Sequence, residues 1–124
     1  MKLDGTWIAR YAIRRPRFIN DASGEDKAAT VIFKDGKISG NDIFGFEYSG
    51  EFSLDGQAVK ALVIATPNKP GAESILCDVN GRRLTEKYHV SLEGYFGSAN
   101  RFSMTGRLIE NRAQEVVINF TREE

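Results

Sequence analysis

The sequence predicts an all-β domain, a small closed up-and-down antiparallel β-barrel of seven to eight strands. Three observations carry this reading. Apolar and polar residues alternate with period two in short runs bounded by Gly, Asn or Asp, recurring about every ten residues. Helical periodicity is hard to find. Two dipeptides, Asp35-Gly36 and Asp55-Gly56, sit between such runs and suit two-residue hairpin turns, whose central positions need positive φ. Strands joined by hairpin-length connections either stack as a sandwich or close, and closure removes the edges that invite aggregation. At 124 residues the chain is expected to form one domain, 1–124, that buries roughly two-thirds of its unfolded surface without staples.

Taken in order, the first strand opens at Gly5-Thr6-Trp7. Ala28 to Lys34 returns as Lys37 to Asn41 and sets Phe33 opposite Ile38. Phe46 to Leu54 is the clearest alternation, with Glu47, Ser49, Glu51 and Ser53 on a wet face. A turn centred on Asp55-Gly56 then pairs Phe52 with Val59, Gly50 with Ala61 and Tyr48 with Val63 inside, and Glu51 with Lys60 outside, along Gln57 to Thr66. Leu84 to Phe96 places Tyr88, Val90, Leu92 and Phe96 inward. A Gly97-Ser98-Ala99 connection leads to Arg101 to Ile109, with Phe102 over Gly94 and Met104 beside Leu92. Glu115 to Arg122 ends the sheet with Val116, Ile118, Phe120 and Arg122 on one side. Residues 14–27 read as a long loop at a barrel mouth. Residues 68–80 fit either one helical turn or a short strand.

Composition excludes several classes of function. Seventeen Lys and Arg balance seventeen Asp and Glu, so no basic field draws nucleic acid, and no direct nucleic-acid binding is expected. The longest apolar runs are about five residues where a membrane span needs roughly 20, and no charged-then-apolar export segment follows Met1. A soluble cytoplasmic protein without membrane contact is expected. Cys77 has no partner for a disulfide, and with His89 it makes a set too small for a structural zinc site or a nucleophile–base pair. His89 is out of phase with Tyr88 and Val90 and should face solvent. Glu25-Asp26 and Glu123-Glu124 read as solvated charge, and Arg14-Arg15-Pro16-Arg17, with Arg10 before it, as a basic mouth loop. Glu86 shares the phase of Leu84 and Tyr88, which points it inward, either to pair with an Arg or to mark a polar spot in a cavity. No glycine-rich loop opens a helix to cradle phosphate. No cofactor, metal or catalytic residue is therefore expected, and the chain is read as a non-enzyme.

Function is left to the two faces of the sheet. The inward phases of Tyr11, Phe33, Phe46, Tyr48, Phe52, Val63, Tyr88, Leu92, Phe102 and Met104 form a candidate cavity. An eight-stranded barrel is just wide enough to be filled by side chains or to hold one small ligand. Outside, Ala58, Leu62 and Ile64 occupy a face whose neighbouring strand is polar, which marks a candidate interface. Either residues 68–80 fold back to cover it with Ile75 and Leu76, or a second copy does, making a homodimer.

Gly5-Thr6-Trp7 at the start of the first strand and Thr121-Arg122 at the end of the last resemble the ends of lipocalin-like (calycin) barrels. The resemblance implies that Trp7 closes the barrel base and that Arg122 packs over its indole, a cation–π contact of about 0.5–2 kcal/mol. With Ala29-Thr30-Val31-Ile32-Phe33-Lys34-Asp35-Gly36-Lys37-Ile38-Ser39-Gly40-Asn41-Asp42 and then Phe46-Glu47-Tyr48-Ser49-Gly50-Glu51-Phe52 added, the chain resembles the GrlR-like family over nearly its whole length. Named members of that family are bacterial negative regulators of type III secretion. This implies a short lipocalin-like barrel that dimerises and restrains a transcriptional activator by binding it. The pattern departs after the Phe-x-Tyr strand, where the regulator that names the family carries an acidic cluster and this chain has Leu54-Asp55-Gly56-Gln57. The alternative function is a binder of a small apolar, lipid-like ligand inside the barrel.

Overall fold

In the computed structural model, residues 3–12 and 29–123 are described. They contain no helix and eight strands: β1 (Gly5–Ala12), β2 (Ala29–Lys34), β3 (Lys37–Asp42), β4 (Phe46–Asp55), β5 (Ala58–Pro67), β6 (Tyr88–Tyr95), β7 (Arg101–Leu108) and β8 (Glu115–Arg122). Each pairs antiparallel with the next, and β8 closes on β1 with Trp7 opposite Arg122. The base holds the turns at 35–36 and 56–57 and the β6–β7 connection. The mouth holds the β3–β4 loop, the long β5–β6 connector and the β7–β8 loop. The basic run Arg14-Arg15-Pro16-Arg17 and the pair Glu25-Asp26 lie outside the described residues.

The two Asp-Gly dipeptides turn differently. Asp35 and Gly36 both take positive φ, 52° and 80°, the requirement of a type I′ turn, and Phe33 faces Ile38. At the second hairpin Asp55 stays in the strand opposite Ala58, and the loop is Gly56-Gln57, with Gly56 at φ 64°. The register therefore differs from the expected one by two residues. Phe52 faces Ala61, Gly50 faces Val63, Tyr48 faces Ala65, and Lys60 lies across from Ser53. A slip of two preserves the face of every side chain, whereas a slip of one would invert them. Glu51 instead binds Lys37 at 2.6 Å.

Four further expectations are corrected at β6 and its ends. Leu84 does not belong to the strand, because Ser74 N donates to its carbonyl and its own N–H donates to Leu76, which holds it in the connector. Alternation from 84 to 88 thus has no sheet beneath it, and Glu86 is exposed rather than inward. The β6–β7 ladder pairs Gly94 with Met104 and Leu92 with Gly106, so Phe102 does not lie over Gly94. Phe96 leaves the ladder to pack under the base, its N–H on Gln57 O at 2.7 Å, and this lengthens the connection beyond the three residues expected.

The base is an aromatic cluster. Phe102 stacks on Phe120 at 4.7 Å and meets Trp7 edge-on at 4.9 Å, while Phe96 meets Trp7 at 6.0 Å. Gly106 lets strands β6 and β7 close tightly, since a Cβ there would lie 1.7 Å from Ser91 O. Edge-to-face geometry of this kind adds about 0.5–1.5 kcal/mol per pair beyond the area buried.

Candidate functional site

The β5–β6 connector, residues 68–87, folds across the mouth as neither a helical turn nor a strand. Ala72, Ser74, Ile75 and Leu76 are buried. Asn68 N donates to Gly45 O at 2.9 Å and Glu73 N to Phe44 O at 3.2 Å. On the far side Asn111 Nδ2 donates to Cys77 O at 3.0 Å and Cys77 N to Gln114 Oε1 at 3.3 Å. Gly45 is the seat: its φ is 99°, and a Cβ there would lie 2.9 Å from the Ala72 methyl. Leu76 goes into the mouth, so it does not cover the outer face of β5.

Beneath the connector the barrel interior holds a void of about 30 Å³, room for one water at most. Tyr11, Phe33, Tyr48, Val63, Tyr88, Leu92 and Met104 line it, as their phase indicates. Phe46, Phe52 and Phe102 do not. Phe46 lies at the mouth against Tyr88, ring centroids 5.2 Å apart; Phe52 is half-buried against Phe33; and Phe102 belongs to the base. Leu76 enters the lining from the connector, a residue that alternation had no means to find.

Polar groups gather at the mouth end of this void. The hydroxyls of Tyr11 and Tyr48 are hydrogen-bonded, and Tyr48 OH donates to Asp42 Oδ2 at 2.7 Å. The phenol of Tyr48 has one proton, so with that proton on Asp42 it accepts from Tyr11. Asp42 Oδ1 accepts from Phe44 N and Phe46 N at 2.8 and 2.9 Å. Ser74 Oγ donates to Tyr88 OH at 3.2 Å. Burial pushes Tyr88 up to about 12, with Asp42 adding to the rise and Ser74 opposing it. Burial, then the charge of Tyr88, lifts Tyr48 well above the ordinary phenol value. Burial also raises Asp42, against its backbone hydrogen bonds.

His89 is half-exposed at the start of β6, where its Nδ1 meets Glu110 Oε2 at 2.6 Å and its N–H donates to Oε1 of the same residue at 2.9 Å. Burial pushes Glu110 up, but these bonds from His89 outweigh it and hold the carboxyl below its usual range. Cys77 is a half-buried free thiol. Among the described residues no three His, Cys, Asp or Glu side chains gather to hold a metal ion, and no helix is long and apolar enough to cross a membrane.

On the outside, Leu62 is 49% exposed, Ala58 is exposed and Ile64 is half-buried. Glu51, Leu62, Ser91, Arg107 and Glu115 lie in register across β4 to β8. They line one side of an open trough of about 950 Å³, with Lys60 and Glu93 on the other. At the base, Arg122 lies over the ring of the fully buried Trp7.

Comparison with protein-family models found no match, and comparison with curated proteins found none.

Proposed function

We propose that this chain is a non-enzymatic regulatory protein that pairs with a second copy through the outer face of β5 and restrains a protein partner. By the GrlR-like resemblance, the partner is a transcriptional activator in the bacterial cytoplasm. The observation that carries this reading is the contrast between two faces. The interior has about 30 Å³ free, too little for a lipid-like ligand while the mouth is capped. Leu62 stands 49% exposed on the flank, with Ile64 beside it and a trough of charged and apolar side chains around it. Isologous pairing would set Leu62 and Ile64 of one copy on the same residues of the other, leaving the rest of the barrel wall for the partner.

Sedimentation tests the assembly. The wild type should be dimeric at tens of micromolar, and Leu62→Glu/Ile64→Lys should be folded and monomeric. A monomeric wild type at that concentration removes the reading. For the partner, a photoreactive residue at Lys60 should trap a DNA-binding activator in bacterial cells, with the adduct lost in the double variant if both surfaces are continuous.

A further inference from the structure

The outer face of β4 to β7 carries a pattern with two-fold symmetry about the line between β5 and β6. On one level Lys60 of β5 stands across from Glu93 of β6. Two residues along, Leu62 is across from Ser91, with Glu51 of β4 beyond Leu62 and Arg107 of β7 beyond Ser91. Toward the base, Ala58 is across from Tyr95, which is 63% exposed. Each charged or large residue therefore has an oppositely charged or small counterpart at the same distance on the other side of that line. Glu51 and Arg107 already have partners in their own chain, Lys37 at 2.6 Å and Glu115 at 3.9 Å. Lys60 and Glu93 form no ion pair among the described residues, although adjacent strands hold them side by side.

We propose that the two-fold axis of the dimer runs along the strands between β5 and β6, so that Lys60 of each copy pairs with Glu93 of the other. This rests on the outer-face dimer proposed above and names the chemistry by which one copy selects another. Rotation about that line exchanges the positions of β5 and β6 between facing copies. It brings Lys60 over Glu93 and Tyr95 over Ala58, and turns Glu51 toward Arg107 at the rim, where the barrel wall curves away. Leu62 and its copy flank the axis, offset by one strand spacing of about 4.8 Å, and fill the centre. The neighbouring axes fail on charge. Rotation about β5 sets Lys60 on Lys60, and rotation about β6 sets Glu93 on Glu93, so repulsion between like charges selects against both arrangements.

The test is native mass spectrometry and sedimentation of the full chain with its charges reversed, circular dichroism confirming that each variant is folded. Lys60→Glu and Glu93→Lys should each weaken self-association about a hundredfold, roughly tenfold at each of two symmetry-related contacts. Mixed in equal amounts, the two variants should form a heterodimer, because both contacts then join opposite charges. Lys60→Glu/Glu93→Lys in one chain should dimerise as the wild type does. Single variants that dimerise as tightly as the wild type overturn the proposal, as does a mixture that stays monomeric. Preferential pairing of Lys60→Glu with the wild type places the axis on β5 and overturns it as well. A dimeric wild type that Leu62→Glu/Ile64→Lys disperses but the charge reversals leave intact keeps the outer-face interface and removes this axis alone, whereas a monomeric wild type removes both.

Discussion

The guanidinium carbon of Arg122 lies 4.2 Å from the centroid of the Trp7 ring. From there Nε donates to Ala99 O at 2.7 Å and Nη1 to Asp4 O at 3.0 Å. One side chain thus joins the end of β8, the β6–β7 connection and the approach to β1. Trp7 is held from the other side by its indole N–H on Leu3 O at 2.9 Å. Gly5 clears the path, since a Cβ there would lie 2.4 Å from Nη1.

Trp7→Ala should lower stability by about 3–5 kcal/mol, the range for a large aromatic truncated in a packed core. Arg122→Met keeps much of the aliphatic contact but removes the cation and its forked donors, and should lose about 1–3 kcal/mol. Arg122→Lys keeps charge without the fork and should recover less than half of that loss. Urea unfolding of the three variants measures this. If Trp7→Ala melts within a few degrees of wild type, the aromatic base does not hold the barrel closed.

The tyrosines at the mouth set an alkaline limit on the fold. Tyr88 is pushed up to about 12 and Tyr48 well above 10.0. Above pH 10.0 a phenol in the unfolded chain ionises while the buried one keeps its proton, so the unfolded state binds fewer protons and stability falls as pH rises. For Tyr88 this loss runs from 10.0 to about 12, at roughly 1 kcal/mol per pH unit. Tyr88→Phe should flatten the alkaline limb of a stability–pH curve. In a Tyr95→Phe background, which removes the exposed phenol, phenolate absorbance should appear together with loss of circular dichroism, and its appearance in the folded protein below pH 10 contradicts the burial.

Asp42 gives a dependence confined to acid. Its folded value is raised above 3.8, by burial first, so the folded state holds the proton longer than the unfolded one. Its contribution is favourable below 3.8 and is lost as pH rises through the folded value. Asp42→Asn cannot ionise, and its Oδ1 can still accept from Phe44 and Phe46. The variant should therefore gain stability relative to wild type as pH rises through that window and stay offset above it. Glu110, held low by His89, slopes the opposite way in both proteins and cancels in the difference curve. Parallel curves from pH 3 to 7 would show that Asp42 is solvated.

Alternation assigned faces well because parity survives a slip of two. Leu62 and Ile64 are outward, and Tyr48 and Ala65 inward, in either register of the second hairpin. What parity lacks is height along the barrel axis. Phe46, Phe52 and Phe102 are in phase with the cavity residues yet lie at the mouth, toward the base and in the base. The same gap hid the Tyr11–Tyr48–Asp42 chain, whose members come from β1, β4 and β3 and meet only because closure brings them to one level. Leu76 was illegible for another reason: the connector has no period, and its conformation is set by the rim it sits on.

The two Asp-Gly hairpins offer a matched test of register. Asp35 holds φ 52°, in the left-handed region where a residue with a Cβ loses roughly 1–2 kcal/mol and Asp loses less than most. Asp55 is extended and pairs with Ala58, while Gly56 alone takes the positive φ of its turn. Asp35→Ala should therefore destabilise by about 1 kcal/mol, and Asp35→Gly should be neutral or mildly stabilising. Asp55→Ala should stay within about 0.5 kcal/mol of wild type, as for other exposed positions without special backbone. Gly56→Ala should cost more than Asp35→Ala, roughly 1–2 kcal/mol, because it brings a Cβ into a region where Asp35 already carries one. Chemical unfolding of the four variants separates the registers. Equal losses at Asp35 and Asp55 would mean that Asp55 also carries positive φ, which would centre the loop on Asp55-Gly56 and bring Phe52 back opposite Val59.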